Sequence, residues 1–303
     1  MIIALVVRWF QIKENPDQQS EKSLKTNPDG VESWVERPDG TRLRAWHKGS
    51  GMPVVLLHDA GISSLSMNLM WKLLAGYGFN VITFDQRGHG QSSVGAKGIC
   101  PEAMVEDLDA ILAHFNVWDA ILVGHSSGAF LTIQYLLRYQ EQASKRVKGA
   151  VSISGFAGNI LAGTPQNHFA RGLIQTGLAR QLLKNRFLAF GYAATFFDES
   201  TSFARVRVWM EMAKKHSLKA LMPILPGTQQ QNFYDRLPEI TTPYIVAASP
   251  SDRRLAPEHS IRMAAALPNA KLEWVKNAGN MMVWECPGKI VDMVRSLASE
   301  RTA

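Results

Sequence analysis

Apolar and polar positions along the chain change rhythm several times, and each change marks an element. Val31 to Arg37 and Thr41 to His47 are strand-like runs around Pro38-Asp39-Gly40, the signature of a hairpin. Pro53-Val54-Val55-Leu56-Leu57 is apolar without alternation, as expected of a strand covered on both faces of a parallel sheet. Met67 to Tyr77, Glu102 to Phe115 and Ala129 to Tyr139 carry helical spacing. Between and after them lie further strand-like runs, Phe79 to Phe84, Ala120 to Val123 and Gly149 to Ile153. From Phe156 to about Leu237 the pattern is helical throughout, with Phe169, Leu173, Phe187, Phe196, Phe197 and Trp209 among its apolar positions. The strand–helix rhythm then returns as Tyr244 to Ala248, Pro257 to Leu267, Lys271 to Val275 and Pro287 to Leu297.

Alternating strands and helices predict an α/β fold, a doubly wound, mostly parallel, eight-stranded sheet with right-handed crossovers. The helical stretch reads as a lid inserted into that sheet. The expected organisation is a tail over 1–30, a core over 31–155 and 238–303, and a helical lid over 156–237.

Composition narrows the class only a little. With 303 residues, 46% hydrophobic and 19% charged, the chain is that of an ordinary globular protein. Its net charge of +7 and sequence pI of 9.4 come from scattered Lys and Arg rather than a basic run interleaved with aromatics. A solvated basic surface, and no nucleic-acid partner, is the expectation. Met1 to Phe10 is apolar but far short of the roughly 20 residues that span a bilayer. It reads as an edge strand, a loose end, or a weak interfacial anchor with Arg8 and Trp9 at head-group level. Cys100 and Cys286 form no metal or redox motif, so a cytoplasmic protein without metal or cofactor is expected, with peripheral membrane contact as an option.

The chemistry concentrates at strand ends. Gly124-His125-Ser126-Ser127-Gly128 follows an apolar strand and opens a helix, so Ser126 is placed on a sharp turn with its Oγ above the sheet. Acyl transfer at that serine needs two N–H donors for the developing oxyanion. Ser127 N–H is one, and Ala60 N–H, in the loop His58-Asp59-Ala60-Gly61, is the other. His58 itself reads as a ring that holds the loop. Asp252 follows the first strand after the insertion, at a carboxyl end where doubly wound sheets build sites. The position after the last strand, where a base is needed, holds Asn280. An amide can hydrogen-bond both neighbours but cannot take a proton as imidazole does. Asp59, His125, Phe156 and Met281 flank these groups and are assigned to substrate contact, although the His125 ring should point beneath the turn.

Together these residues resemble the α/β-hydrolase family, in particular its lidded esterase, lipase and monoacylglycerol-lipase-like members, over roughly residues 31–299. Phe84-Asp85-Gln86-Arg87-Gly88-His89-Gly90-Gln91-Ser92 is similar to the family's stretch after the fourth strand, where Asp85 and Arg87 are structural. Asn277-Ala278-Gly279-Asn280-Met281 is similar to its Gly-His-Met context, with the histidine replaced. The resemblance implies a serine hydrolase of carboxylic esters that works through an acyl-enzyme, and the apolar lid predicts a hydrophobic ester. Asn280 leaves three readings open: a disabled enzyme, a small-molecule binding protein on a hydrolase scaffold, or slow, altered chemistry.

Overall fold

The computed structural model describes residues 12, 21–160, 172, 184–215 and 230–300. Eight strands form one sheet: β1 (Val31–Glu36), β2 (Arg42–Lys48), β3 (Pro53–Leu57), β4 (Asn80–Phe84), β5 (Ala120–His125), β6 (Val147–Ile153), β7 (Tyr244–Ala248) and β8 (Ala270–Trp274). Their order is β1-β2-β4-β3-β5-β6-β7-β8. β1 and β2 form the expected hairpin, with Val35 opposite Leu43 and Glu36 opposite Arg42. Gly40 closes it at φ +84°, the left-handed region that suits glycine. Like that hairpin, the β2–β4 pairing is antiparallel, and the five remaining pairings are parallel.

The continuous apolar runs are explained by two cores, one on each face of the sheet. Val54, Leu56, Ile121, Val123, Val151 and Ile245 point to one face. Their neighbours Val55, Leu57, Leu122, Ala150, Tyr244 and Val246 point to the other. Helices 68–76 and 287–299 cover the first face, and helices 101–114, 127–138 and 257–266 cover the second. β8 is an edge strand, and its exposed residues account for a pattern less apolar than that of β7.

Two readings of the chain's periphery change. Between β6 and β7 the described residues include helices 186–194 and 203–215, as the helical spacing requires. Phe190, Phe196, Phe197, Val206, Trp209 and Met212 join the same buried cluster as the sheet residues, so they pack onto the core as well as onto one another. Phe169, Leu173 and the strip from Met1 to Phe10 lie outside the described residues. The stretch read as a tail is in part docked. Ile12 and Leu24 are fully buried, and Asn68 Nδ2 donates to the carbonyls of Ser23 (2.6 Å) and Leu24 (3.1 Å). Among the described residues no helix is long and apolar enough to cross a membrane.

Candidate active site

Ser126 sits between β5 and the helix that starts at Ser127, with φ +52° and ψ −109°. Such a conformation is costly for a residue with a side chain and persists only where its surroundings enforce it. Here they do. Ser126 N–H donates to the Ile153 carbonyl of β6 at 2.8 Å. A Cβ on Gly124 would meet the Ala129 nitrogen at 2.5 Å, and one on Gly128 would meet the Leu57 carbonyl oxygen at 2.4 Å. The two glycines therefore let the helix close down on β3 and β5, which pushes Ser126 out at the carboxyl edge of the sheet.

Asp252 follows β7 in a turn that fixes its carboxylate. Oδ1 accepts the N–H groups of Arg254 (2.8 Å) and Leu255 (3.0 Å), which leaves Oδ2 free for a neighbour. That neighbour is Asn280, whose Nδ2 donates at 3.2 Å. Burial pushes the Asp252 carboxyl up, while these N–H donors pull against it. The other amide atom, Asn280 Oδ1, is buried without a hydrogen-bond partner. The polar chain from Asp252 thus stops at Asn280 and does not continue to the Ser126 hydroxyl. A polar cavity of about 360 Å³, lined by Asp198, Glu199, Ser251, Asp252 and Arg253, adjoins the carboxylate.

On the other side of Ser126 two N–H groups converge. Those of Ala60 and Ser127 both donate to Asp59 Oδ1, at 2.8 and 3.1 Å. Ala60 N–H also reaches Ser127 Oγ at 2.7 Å. The two N–H groups thus meet on one oxygen, a carboxylate oxygen of the same loop. Asp59 therefore turns its carboxylate onto the backbone of its own loop and of Ser127, where its assignment was to substrate contact. His58 is structural, as read: its Nδ1–H donates to the Asp59 carbonyl at 2.7 Å and its Nε2 accepts the Gln86 N–H at 3.0 Å. His89 holds the far end of the loop, its Nε2 accepting the Gly61 N–H at 3.0 Å.

The remaining assignments to substrate contact change too. The His125 ring is fully buried beneath the turn, and its Nε2 donates to the Asn280 carbonyl at 3.0 Å. Met281 is fully buried in the large core cluster, and its N–H donates to the Phe196 carbonyl at 2.9 Å. Phe156 is buried against Phe130, ring to ring at 5.3 Å, and with Leu255 makes a small apolar cluster. These three side chains come from the segments just after β6, Ser126 and Asp252, and all three are buried. Side chains immediately next to functional loops face the core as often as the site, which sequence adjacency does not reveal.

Glu285 escaped the sequence reading. Its carboxylate accepts N–H groups from Gly279 (2.7 Å) and Asp198 (2.9 Å), tying the loop of Asn280 to the insertion. The signal was a lone acid closing the run Met281-Met282-Val283-Trp284. Burial pushes its pKa up to about 7 from an ordinary 4.5. The folded protein then holds this proton more tightly than the unfolded chain. Its contribution to stability is complete below about pH 4.5 and is lost as pH rises through about 7. Urea midpoints of the parent should fall between pH 5 and 8, and Glu285→Gln should flatten that fall; equal slopes for both proteins would assign the dependence to other groups.

Comparison with known proteins agrees with the architecture. The sequence profile described as "Alpha/beta hydrolase family" matches residues 54–293. A putative non-heme chloroperoxidase from Synechocystis sp. is 25% identical over 244 residues, 78% of this chain and 87% of that protein. A non-heme haloperoxidase from Rhodococcus erythropolis is 26% identical over 251 residues, 79% of this chain and 89% of that one. An esterase structure from Exiguobacterium antarcticum superposes with a TM-score of 0.78 at 20% identity, covering 89% of this chain and all of the esterase (100%). The family profile spans most of the sheet, both faces of its core and all three positions around Ser126, and on that ground the chain belongs to the alpha/beta hydrolase family.

Proposed function

We propose that this is a carboxylic ester hydrolase scaffold in which Ser126 is the nucleophile, Asp252 the acid and Asn280 the occupant of the base position. The observation that carries the reading is the Asn280 amide on Asp252 Oδ2, beside a serine held at positive φ. In the working form of such a site, a base takes the serine proton as Oγ attacks the ester carbonyl. The same proton passes to the leaving alkoxide, and water repeats the cycle on the acyl-enzyme. Asp252 would orient the base and stabilise its cation. Esters fit the name of the structurally similar esterase, whose likeness supports the fold.

A second reading, a binding module that keeps a small hydrophobic ligand unchanged, is favoured by the orphaned Asn280 Oδ1, an acceptor that a ligand hydroxyl or N–H would satisfy. The two are separated with p-nitrophenyl esters from acetate to laurate. Asn280→His should hydrolyse them, and Ser126→Ala in the same background should not. No gain at any chain length would favour the binding module.

A further inference from the structure

Asp59 poses a problem for any acyl substrate. The oxygen of a tetrahedral intermediate is stabilised by donors about 2.7–3.1 Å away. Asp59 Oδ1 lies 2.8 Å from Ala60 N and 3.1 Å from Ser127 N, so it stands where that oxygen would go. Chemically it is also the right kind of atom: an oxygen of a carboxylate, as in the acid that ester hydrolysis releases. We propose that Asp59 is a tethered mimic of the carboxylic acid product, which closes the oxyanion hole of the resting protein and admits acyl compounds only when its side chain turns out. The proposal rests on the hydrolase reading of the site, which supplies the role of the two N–H groups.

The surrounding contacts say how the opening works. The backbone on either side of Asp59 is clamped without help from its carboxylate. His58 Nδ1–H holds the Asp59 carbonyl at 2.7 Å, and His89 Nε2 holds the Gly61 N–H at 3.0 Å. Gln86, which follows β4, supports the His58 ring through its own N–H at 3.0 Å. Both histidines are fully buried. Opening is therefore a rotation of one side chain above a fixed loop. It needs no loop movement, and both N–H groups stay in place for the incoming oxygen, which then shares the Ala60 N–H with Ser127 Oγ at 2.7 Å. Because Asp59 is tethered, it competes at a high effective concentration with any free ligand.

The consequence is a protein blind to free carboxylic acids, and the test uses hexanoate titrated by calorimetry into the full chain. Asp59→Ala should bind hexanoate at least about tenfold more tightly than the parent, given the effective concentration of a tethered group. Asp59→Asn should bind as weakly as the parent, since its amide oxygen still accepts both N–H groups. Asp59→Ser, too short to hold both donors, repeats the test should the alanine variant fold poorly. A folded Asp59→Ala or Asp59→Ser with parental hexanoate affinity overturns the proposal. Tight binding by Asp59→Asn also overturns it, because charge repulsion rather than occupancy would then be the barrier. The readout needs no turnover, so it stands apart from the hydrolase reading. If Asn280→His gains no esterase activity while Asp59→Ala gains hexanoate, the reading of the reaction fails and the closed hole remains.

Discussion

Asn280→His should raise hydrolysis of p-nitrophenyl butyrate by about 10²–10⁴-fold over the parent, the range that a positioned general base contributes. The geometry for that gain is already built. Asp252 has Oδ1 committed to Arg254 and Leu255, and Oδ2 turned to residue 280 at 3.2 Å. An imidazole there would donate Nδ1–H to Oδ2, as the amide does now. Its Nε2, left without a partner as Asn280 Oδ1 is now, would be the base offered to Ser126, which sits at φ +52° on the turn after β5. The loop has little freedom to misplace the new ring, because Gly279 N–H is bonded to Glu285 and the Asn280 carbonyl receives His125 Nε2. The upper end of the range is limited by Asp59, which still competes for the two N–H donors. Initial rates with and without Ser126→Ala measure the effect, and a gain that survives loss of the serine would belong to another base and nucleophile.

Arg87→Ala should cost about 3–5 kcal/mol of stability, the range for a buried ion pair that loses one partner. Arg87 is 1% exposed and binds Asp107 with two N–H groups, at 2.7 and 2.8 Å. A third donor, Nη1, serves Asp39 Oδ2 (3.0 Å) and the Gly98 carbonyl (2.9 Å). One guanidinium therefore joins the hairpin turn, the loop after β4 and helix 101–114. Removing it strands Asp107 with only Arg37, bonded at 3.0 Å, as a cationic partner. Arg87→Lys should recover only part of the loss, since an ammonium cannot form the paired bonds. Urea denaturation measures both, and a loss under 1 kcal/mol for the alanine variant would show the network to be replaceable by water.

The sheet was legible because its signals are local and repeated. Val54-Val55-Leu56-Leu57 shows two buried faces in four letters, and Gly124 to Gly128 marks a turn that tolerates few residues. The positions of Ser126, Asp252 and the Ala60 and Ser127 donors followed from where strands end. The rest depends on contacts between segments far apart in the chain. Nothing near Asp59 announces that its carboxylate folds back onto the N–H of Ser127, 68 positions away. Glu285 is an unremarkable acid until Gly279 and Asp198 converge on it. His125 and Met281 adjoin functional residues, yet each faces the interior, because successive side chains at a strand end or tight turn point in opposed directions. Leu24 looked like part of a polar tail because one apolar residue among charged ones has no period to reveal its burial.

The most direct measurement is the mass of the Asn280→His protein after treatment with an alkyl fluorophosphonate. An activated serine hydroxyl attacks phosphorus, fluoride leaves, and the adduct stays on Oγ. The expected result is a single adduct on the peptide that contains Ser126, absent from the Ser126→Ala, Asn280→His double variant. An unmodified Asn280→His protein, or an adduct that persists without Ser126, would contradict the assignment of Ser126 as the nucleophile.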